Sequence, residues 1–181
     1  MTTLTHLSLA EMEQGLDEIR RSPQDEGTVS LIVRRPSIDA RELLEEGELT
    51  AAEGLAGDNW RTRKPGPPPP ADSQLTLMNV RVASLLAQDD DRRALTGDQL
   101  FVDLDLSEGN VPAGTRLALG SAVIEITTTP HNGCKKFAER FGPDAMRFVN
   151  SPVGKEMHLR GIYARVVQEG TVRAGETIRK V

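Results

Sequence analysis

A chain of 181 residues fits one domain that can bury a core without metal or disulfide staples, and its single cysteine gives it neither an internal disulfide nor a multi-cysteine zinc or iron–sulfur framework. A formal charge of −5, from 22 basic and 27 acidic residues, argues against a global pull toward nucleic acid or anionic membrane, and 3% aromatic content leaves no stacking platform for single strands. No stretch approaches membrane-spanning length and the first residues lack a charged segment followed by an apolar core, so the expected compartment is the reducing cytoplasm.

Ser8, followed three residues later by Glu11, makes a capping box, and Leu9, Met12, Leu16 and Ile19 recur at helical spacing up to Ser22-Pro23. This predicts one amphipathic helix packed on the main body. With its connector it sets residues 1–26 apart from a domain over 27–181, and its apolar stripe is open between covering a core and contacting a second copy in a homodimer. Thr28 to Val33 reads as a strand ended by Pro36, and Arg41 to Glu46 as a short charged stretch. In Gly54-Leu55-Ala56-Gly57-Asp58-Asn59-Trp60, two glycines bracket the approach to an Asp-Asn pair, which predicts tight turns beside something that needs space. Arg61, Arg63 and Lys64 then precede a proline tract from Pro65 to Pro70 that cannot enter a ladder. It is either a solvated linker or a basic lid over an anion site.

Gln74 to Met78 is a strand candidate, and Asn79 caps a predicted helix through about Ala87. Asp89-Asp90-Asp91 reads as a solvated turn rather than a metal site, because consecutive carboxylates do not converge unaided. Gln99 to Leu106 ends in strict strand alternation, Arg116 to Leu119 is a further strand, and Ala122 to Thr127 alternates again. Beyond Cys134, helical stretches are expected over Lys135 to Phe141, Asp144 to Asn150 and about Gly154 to Leu159. The chain closes with β patterns over Gly161 to Val167, Thr171-Val172 and Glu176 to Arg179. Many short strands with Gly and Pro at their junctions, and no βαβ rhythm, predict a mainly β fold: a small closed or partly open β-barrel with peripheral helices.

Cys134 falls where a strand stops and a helix begins, after the turn-forming Thr129-Pro130-His131-Asn132-Gly133. A thiol on the first turn of a helix, with Lys135 and Lys136 beside it, has surroundings that favour thiolate, which attacks electrophiles and binds soft metals. The alternative is an ordinary buried cysteine behaving as a small hydrophobe. His131, three residues earlier, is a candidate base for a Cys-His pair, or a loop imidazole facing solvent; His6 and His158 read as ordinary polar positions. Three scattered histidines and one cysteine lack zinc-site spacing. A single thiolate could still serve a metal whose other ligands come from an organic cofactor.

In their order along the chain, Gly54 to Trp60, Gln74 to Met78, Thr96-Gly97-Asp98-Gln99-Leu100, Pro130-His131-Asn132-Gly133-Cys134-Lys135-Lys136-Phe137 and Arg160 to Val166 resemble the MOSC family, named for the C-terminal domain of the molybdenum cofactor sulfurase. The likeness runs from about Gly27 to Lys180. It implies a barrel similar to the small barrel domain of pyruvate kinase and a pterin-bound molybdenum cofactor, with Cys134 as metal ligand or sulfur-handling residue. Gly57, Asp58, Asn59, Asn132, Lys135, Lys136 and Arg160 are the candidate cofactor contacts, the basic groups for the pterin phosphate and Asp58 and Asn59 for ring N–H groups or substrate. The chain departs from the family where Asn59 stands for a common arginine, where Asp98-Gln99 stands for Glu-Asn, and at Gln74, near a position often basic.

Stand-alone bacterial members resemble reductases of N-hydroxylated compounds, so the resemblance implies a molybdenum-dependent oxidoreductase with Cys134 at its centre, beside which His131 is the candidate base read from its spacing. Lacking a flavin or nicotinamide fingerprint, it would draw electrons from a separate donor protein. Two alternatives stand beside it. One is a sulfur carrier or transferase holding a Cys134 persulfide supplied by a cysteine desulfurase, and the other is a non-catalytic module that keeps the barrel.

Overall fold

The computed structural model describes residues 5–181. Its strands are β1 (Glu26–Arg34), β2 (Glu42–Leu44), β3 (Glu46–Thr50), β4 (Gly54–Leu55), β5 (Leu75–Asn79), β6 (Leu100–Asp103), β7 (Arg116–Leu119), β8 (Ala122–Ile126), β9 (Ile162–Gln168), β10 (Gly170–Arg173) and β11 (Thr177–Lys180). Hydrogen bonding runs β11, β7, β8, β9, β5, β6, β1, and β1 pairs back to β11, which closes a seven-stranded barrel. β2 hangs on the far end of β1, and β3 lies between β10 and β4 in a small second sheet. Closure removes the free edges that would otherwise template aggregation.

Among the described residues, six α-helices lie outside the barrel: α1 (Leu9–Gln14), α2 (Leu16–Arg20), α3 (Val80–Ala87), α4 (Lys135–Phe141), α5 (Pro143–Asn150) and α6 (Pro152–Glu156). None is long and apolar enough to cross a membrane. The strands that carry helices are buried on both faces, and this explains their near-continuous apolar sequences. On β6, Leu100 and Val102 point into the barrel while Phe101 joins a second core under the helices. On β1, Val29 and Ile32 face inward and Leu31 and Val33 outward, a pattern that needs the register shift between Val29 and Leu31. Met12, Ile19, Val82, Phe137 and Phe148 complete the outer core, so the helices are part of the packed molecule.

Two expectations are corrected. The first segment is two short helices, with Gly15 as the C-cap of α1 and the N-cap of α2; a Cβ there would sit 2.7 Å from Leu85 Cδ2, so close packing against α3 favours glycine at the break. The predicted capping box of Ser8 and Glu11 is present. The chain also contains a βαβ unit: β5 and β6 are parallel, with α3 and a 3-10 helix (Asp90–Thr96) between them. One such unit sets no rhythm, which is why periodicity did not reveal it. The expected solvated turn at Asp89 to Asp91 is exposed, but it is the capped start of that 3-10 helix, with Asp89 accepting from the Asp91 N–H at 2.9 Å. Asn79 caps α3 as its sequence position predicts.

Candidate functional site

A cleft of about 650 Å3 opens at one end of the barrel, where the loops after β1, β4 and β8 meet the start of α4 and β9. Arg35, Arg41, Arg63 and Lys64 line it from the first half of the chain, and Lys136, Arg140 and Arg160 from the second. The chain as a whole is acidic, so this concentration of cations is local and focuses positive potential at one place.

Each cation is held differently. Arg35 is clamped by Asp58, from Nε to Oδ1 at 2.9 Å and Nη2 to Oδ2 at 2.7 Å, while its Nη1 donates to the Gly97 carbonyl at 3.1 Å. Asp58 is fully hidden and also accepts from the Trp60 N–H and from Gln99 Nε2. Its acceptor capacity is therefore spent on the protein itself. Arg160 donates to Asp98 Oδ2 at 2.8 Å and to the Thr96 carbonyl at 2.9 Å, and its guanidinium lies over the Phe137 ring. Arg140 and Lys136 share the exposed Asp39.

Gly97 forms the floor of this arrangement. Its φ is +93°, and a Cβ placed on it would lie 3.9 Å from Arg140 Nη1 and 4.0 Å from both Arg160 Nη2 and Arg41 Nη2. Three guanidinium groups from distant parts of the chain thus converge over one glycine. Burial first, then the nearby Arg140 and Arg35 charges, pull Arg41 below the ordinary arginine range. An anion between these groups would relieve that repulsion.

Unmet hydrogen bonds mark the same place. Among the described residues, the buried side-chain polar atoms without a partner are Arg41 Nε, Thr96 Oγ1, Asp98 Oδ1, His131 Nδ1 and Arg160 Nε. Four of these residues line the cleft, and Asp98 lies beneath Arg160. Buried polar groups in native proteins are nearly always satisfied, so a cluster of exceptions calls for a ligand or ordered water.

His131 packs its ring on Tyr163 with centroids 4.5 Å apart, and its Nδ1 is 3.9 Å from Asp98 Oδ1, beyond hydrogen-bond reach. Burial, and then the Arg160 charge, lower its pKa to about 3 against the pull of Asp98. At neutral pH it is an uncharged imidazole. No hydrogen bond joins it to Cys134 among the described contacts.

Cys134 is exposed on the rim of the cleft and is not the small buried hydrophobe of the alternative reading. It occupies the N-cap of α4 with extended backbone and no side-chain capping bond, so the thiol has no structural duty. The loop before it is fixed by the Gly133 N–H donating to Asn150 Oδ1 at 3.0 Å. Among the described residues no three His, Cys, Asp or Glu side chains converge as a metal cluster.

Of the residues that the sequence singled out, His131, Asn132, Cys134, Lys136, Arg160 and Asn59 meet in the cleft, with Arg63 and Lys64 of the basic loop. Lys135 points away, 91% exposed and facing Glu139 one turn on. Asp58 lies behind Arg35, and Gly57 shapes the turn, its φ of +82° leaving room for the Arg34 side chain. Gln74 is also structural, accepting from the Val166 N–H and donating to the Ala51 carbonyl. Arg35, Arg41, Arg140 and Thr96 were not assigned to the site from sequence. They are scattered along the chain, and no local motif marks them.

A small closed β-barrel with helices on one side and a cationic, thiol-rimmed cleft at one end is the class that these features define. The model of the MOSC domain matches residues 78–179, more than half of the chain, and the protein belongs to that family, which is associated in general with molybdenum cofactor binding. Gly54 to Trp60 and most of the Gln74 to Met78 segment lie before that match. Solved structures extend the likeness of fold to more of the chain: the YuaD protein from Bacillus subtilis is similar at 14% identity and TM-score 0.64, covering 84% of this chain and 94% of that one. YiiM from Geobacillus stearothermophilus is similar at 20% identity and TM-score 0.59, covering 86% of this chain and 75% of that one. YiiM from Escherichia coli has 22% identity and TM-score 0.56, covering 85% and 69%. No curated protein matches by sequence.

Proposed function

We propose that the cleft binds a pterin-bound molybdenum cofactor and that the protein reduces N-hydroxylated compounds there. The observation that carries this reading is the coincidence of unpartnered buried polar atoms with a surplus of positive charge beside an exposed thiol. The residues fit the group. Arg41, Arg140 and Arg160, with Arg63 and Lys64 at the mouth, suit its phosphate. Thr96 and the Arg160 Nε supply donors for its polar edge, and Cys134 offers one soft ligand to a metal whose remaining ligands belong to the cofactor.

When bound, the cofactor would supply two-electron oxygen-atom chemistry. The overall change is that an N-hydroxylamine takes up two electrons and two protons, its N–O bond breaks, and an amine and water leave. The electrons come from a separate donor protein. The chain's own contribution is to fix the anion over Gly97 and to present neutral His131 as a hydrogen-bonding wall. Asp58 and Asp98 hold Arg35 and Arg160 in place from behind.

Metal and pterin content of native protein and Cys134→Ser, purified in parallel from a host that makes the cofactor, tests this directly. Near-stoichiometric molybdenum and pterin in the native protein, with molybdenum lost in the variant, is the expected result. Absence of both from the native protein would sink the reading. The exposure of Cys134 also suits a second reading, a persulfide carrier that a desulfurase can reach. That reading requires a mass gain of one sulfur on the native protein, absent in Cys134→Ser.

A further inference from the structure

A second cavity, about 440 Å3, lies against the first and shares His131, Asn132 and Arg160 with it as a common wall. Its size falls in the usual range for small-molecule sites. Its chemistry differs sharply from that of the cleft. Ile126, Val149 and Ile162 give it apolar surface, and Thr127, Thr128 and Thr129 bring a run of hydroxyls. Its formal charges balance: one exposed lysine, Lys155, and one exposed glutamate, Glu108, lie on its lining, and Arg160 is paired with Asp98.

We propose that this chamber is a binding site for a small, uncharged organic compound, placed so that the compound meets the ligand of the cleft at His131 and Arg160. Resting on the cofactor reading of the cleft, the occupant is the substrate, and the enzyme separates an anionic cofactor from a neutral substrate by the charge of two adjoining cavities.

Three observations support the chamber as a built site. The shared wall carries an unpartnered buried atom that the cofactor reading leaves unused, His131 Nδ1, on a side chain 10% exposed. His131 is uncharged at neutral pH, since burial and Arg160 hold its pKa at about 3, so it can meet a neutral N–OH group without a fixed charge. At the chamber's edge His158 holds a left-handed φ of +49°, pinned by Nδ1–H donating to the Leu106 carbonyl at 2.6 Å and by Nε2 facing Glu108 at 3.2 Å. Non-glycine residues keep such backbone angles only where their surroundings over-determine them.

Calorimetric titration of the full chain without cofactor tests the proposal, with benzamidoxime as a small, uncharged N-hydroxylated probe and inorganic phosphate as the probe of the cleft. Ala113→Trp and Thr129→Trp each place a large ring in the chamber from an exposed or half-buried position. Both are expected to weaken benzamidoxime at least about tenfold and to leave phosphate binding unchanged, while Arg41→Met does the reverse. No binding of benzamidoxime to the native chain would overturn the proposal, as would competition between the two probes or a benzamidoxime affinity unaltered in both tryptophan variants. The cofactor reading fails separately: a native protein without molybdenum and pterin, but with chamber-dependent benzamidoxime binding, keeps the chamber and loses the cofactor.

Discussion

Inside the barrel, Leu77, Leu100 and Ile124 are wholly buried among other aliphatic side chains, whereas at its end Arg41, Thr96, Asp98, His131 and Arg160 hide polar atoms that bond to nothing. The first arrangement is complete without a ligand. The second leaves donors and acceptors whose desolvation is uncompensated, each at a cost on the order of 1–3 kcal/mol. The contrast teaches where stability ends and function begins: the barrel carries the fold, and the cleft holds a deficit that an anionic, hydrogen-bonding ligand removes.

Leu100→Ala should break that contrast from the stable side. Leu100 faces Leu77 on β5 and Ile32 on β1, and its truncation leaves a hole that closed walls cannot fill. A loss of about 3 kcal/mol in urea unfolding is expected, with cleft affinity for phosphate in the residual folded protein unchanged. A loss below about 1 kcal/mol would show that the barrel is looser than its packing implies.

His131 gives a smaller, pH-dependent effect. Its folded pKa of about 3 lies below the ordinary 6.5, so as pH falls through 6.5 the unfolded chain takes a proton that the folded one refuses. The stability contributed by neutral burial is therefore full above 6.5 and lost as pH falls toward 3. Between about pH 7 and about pH 5 the native protein should lose about 2 kcal/mol more than His131→Asn. Equal losses in the two proteins would mean that the ring is open to water in solution.

Arg41→Met sharpens the comparison from the other side. Removing a half-buried guanidinium with an orphaned Nε beside Arg140 and Arg35 should raise the stability of the ligand-free protein by about 1 kcal/mol while weakening phosphate binding. Destabilisation would show that Arg41 is held by partners in solution and belongs to the scaffold.

The strands that were legible in the sequence are those whose two faces differ. β8 and β9 alternate, and their patterns located them; Asn79 announced α3 because a cap is a local device. Cys134 was legible for the same reason, standing at a strand-to-helix junction after turn residues. The parallel pairing of β5 with β6 was not, since α3 looks like any short helix until the strands on either side are seen together. The family resemblance makes Asp58 a candidate ligand contact. The structure spends its carboxylate on Arg35, a residue 23 positions away.

By itself the sequence determined the barrel class, the caps and the place of the lone thiol, because period, turn chemistry and capping act over a few residues. Only the tertiary structure decided which arginines form a site and which cavity lies behind it. Arg41, Arg140 and Arg160 share no local pattern; they meet over Gly97 because β-barrel closure brings the loops of distant strands to one end. Charge convergence of that kind is a property of closure, and no window of neighbouring residues contains it.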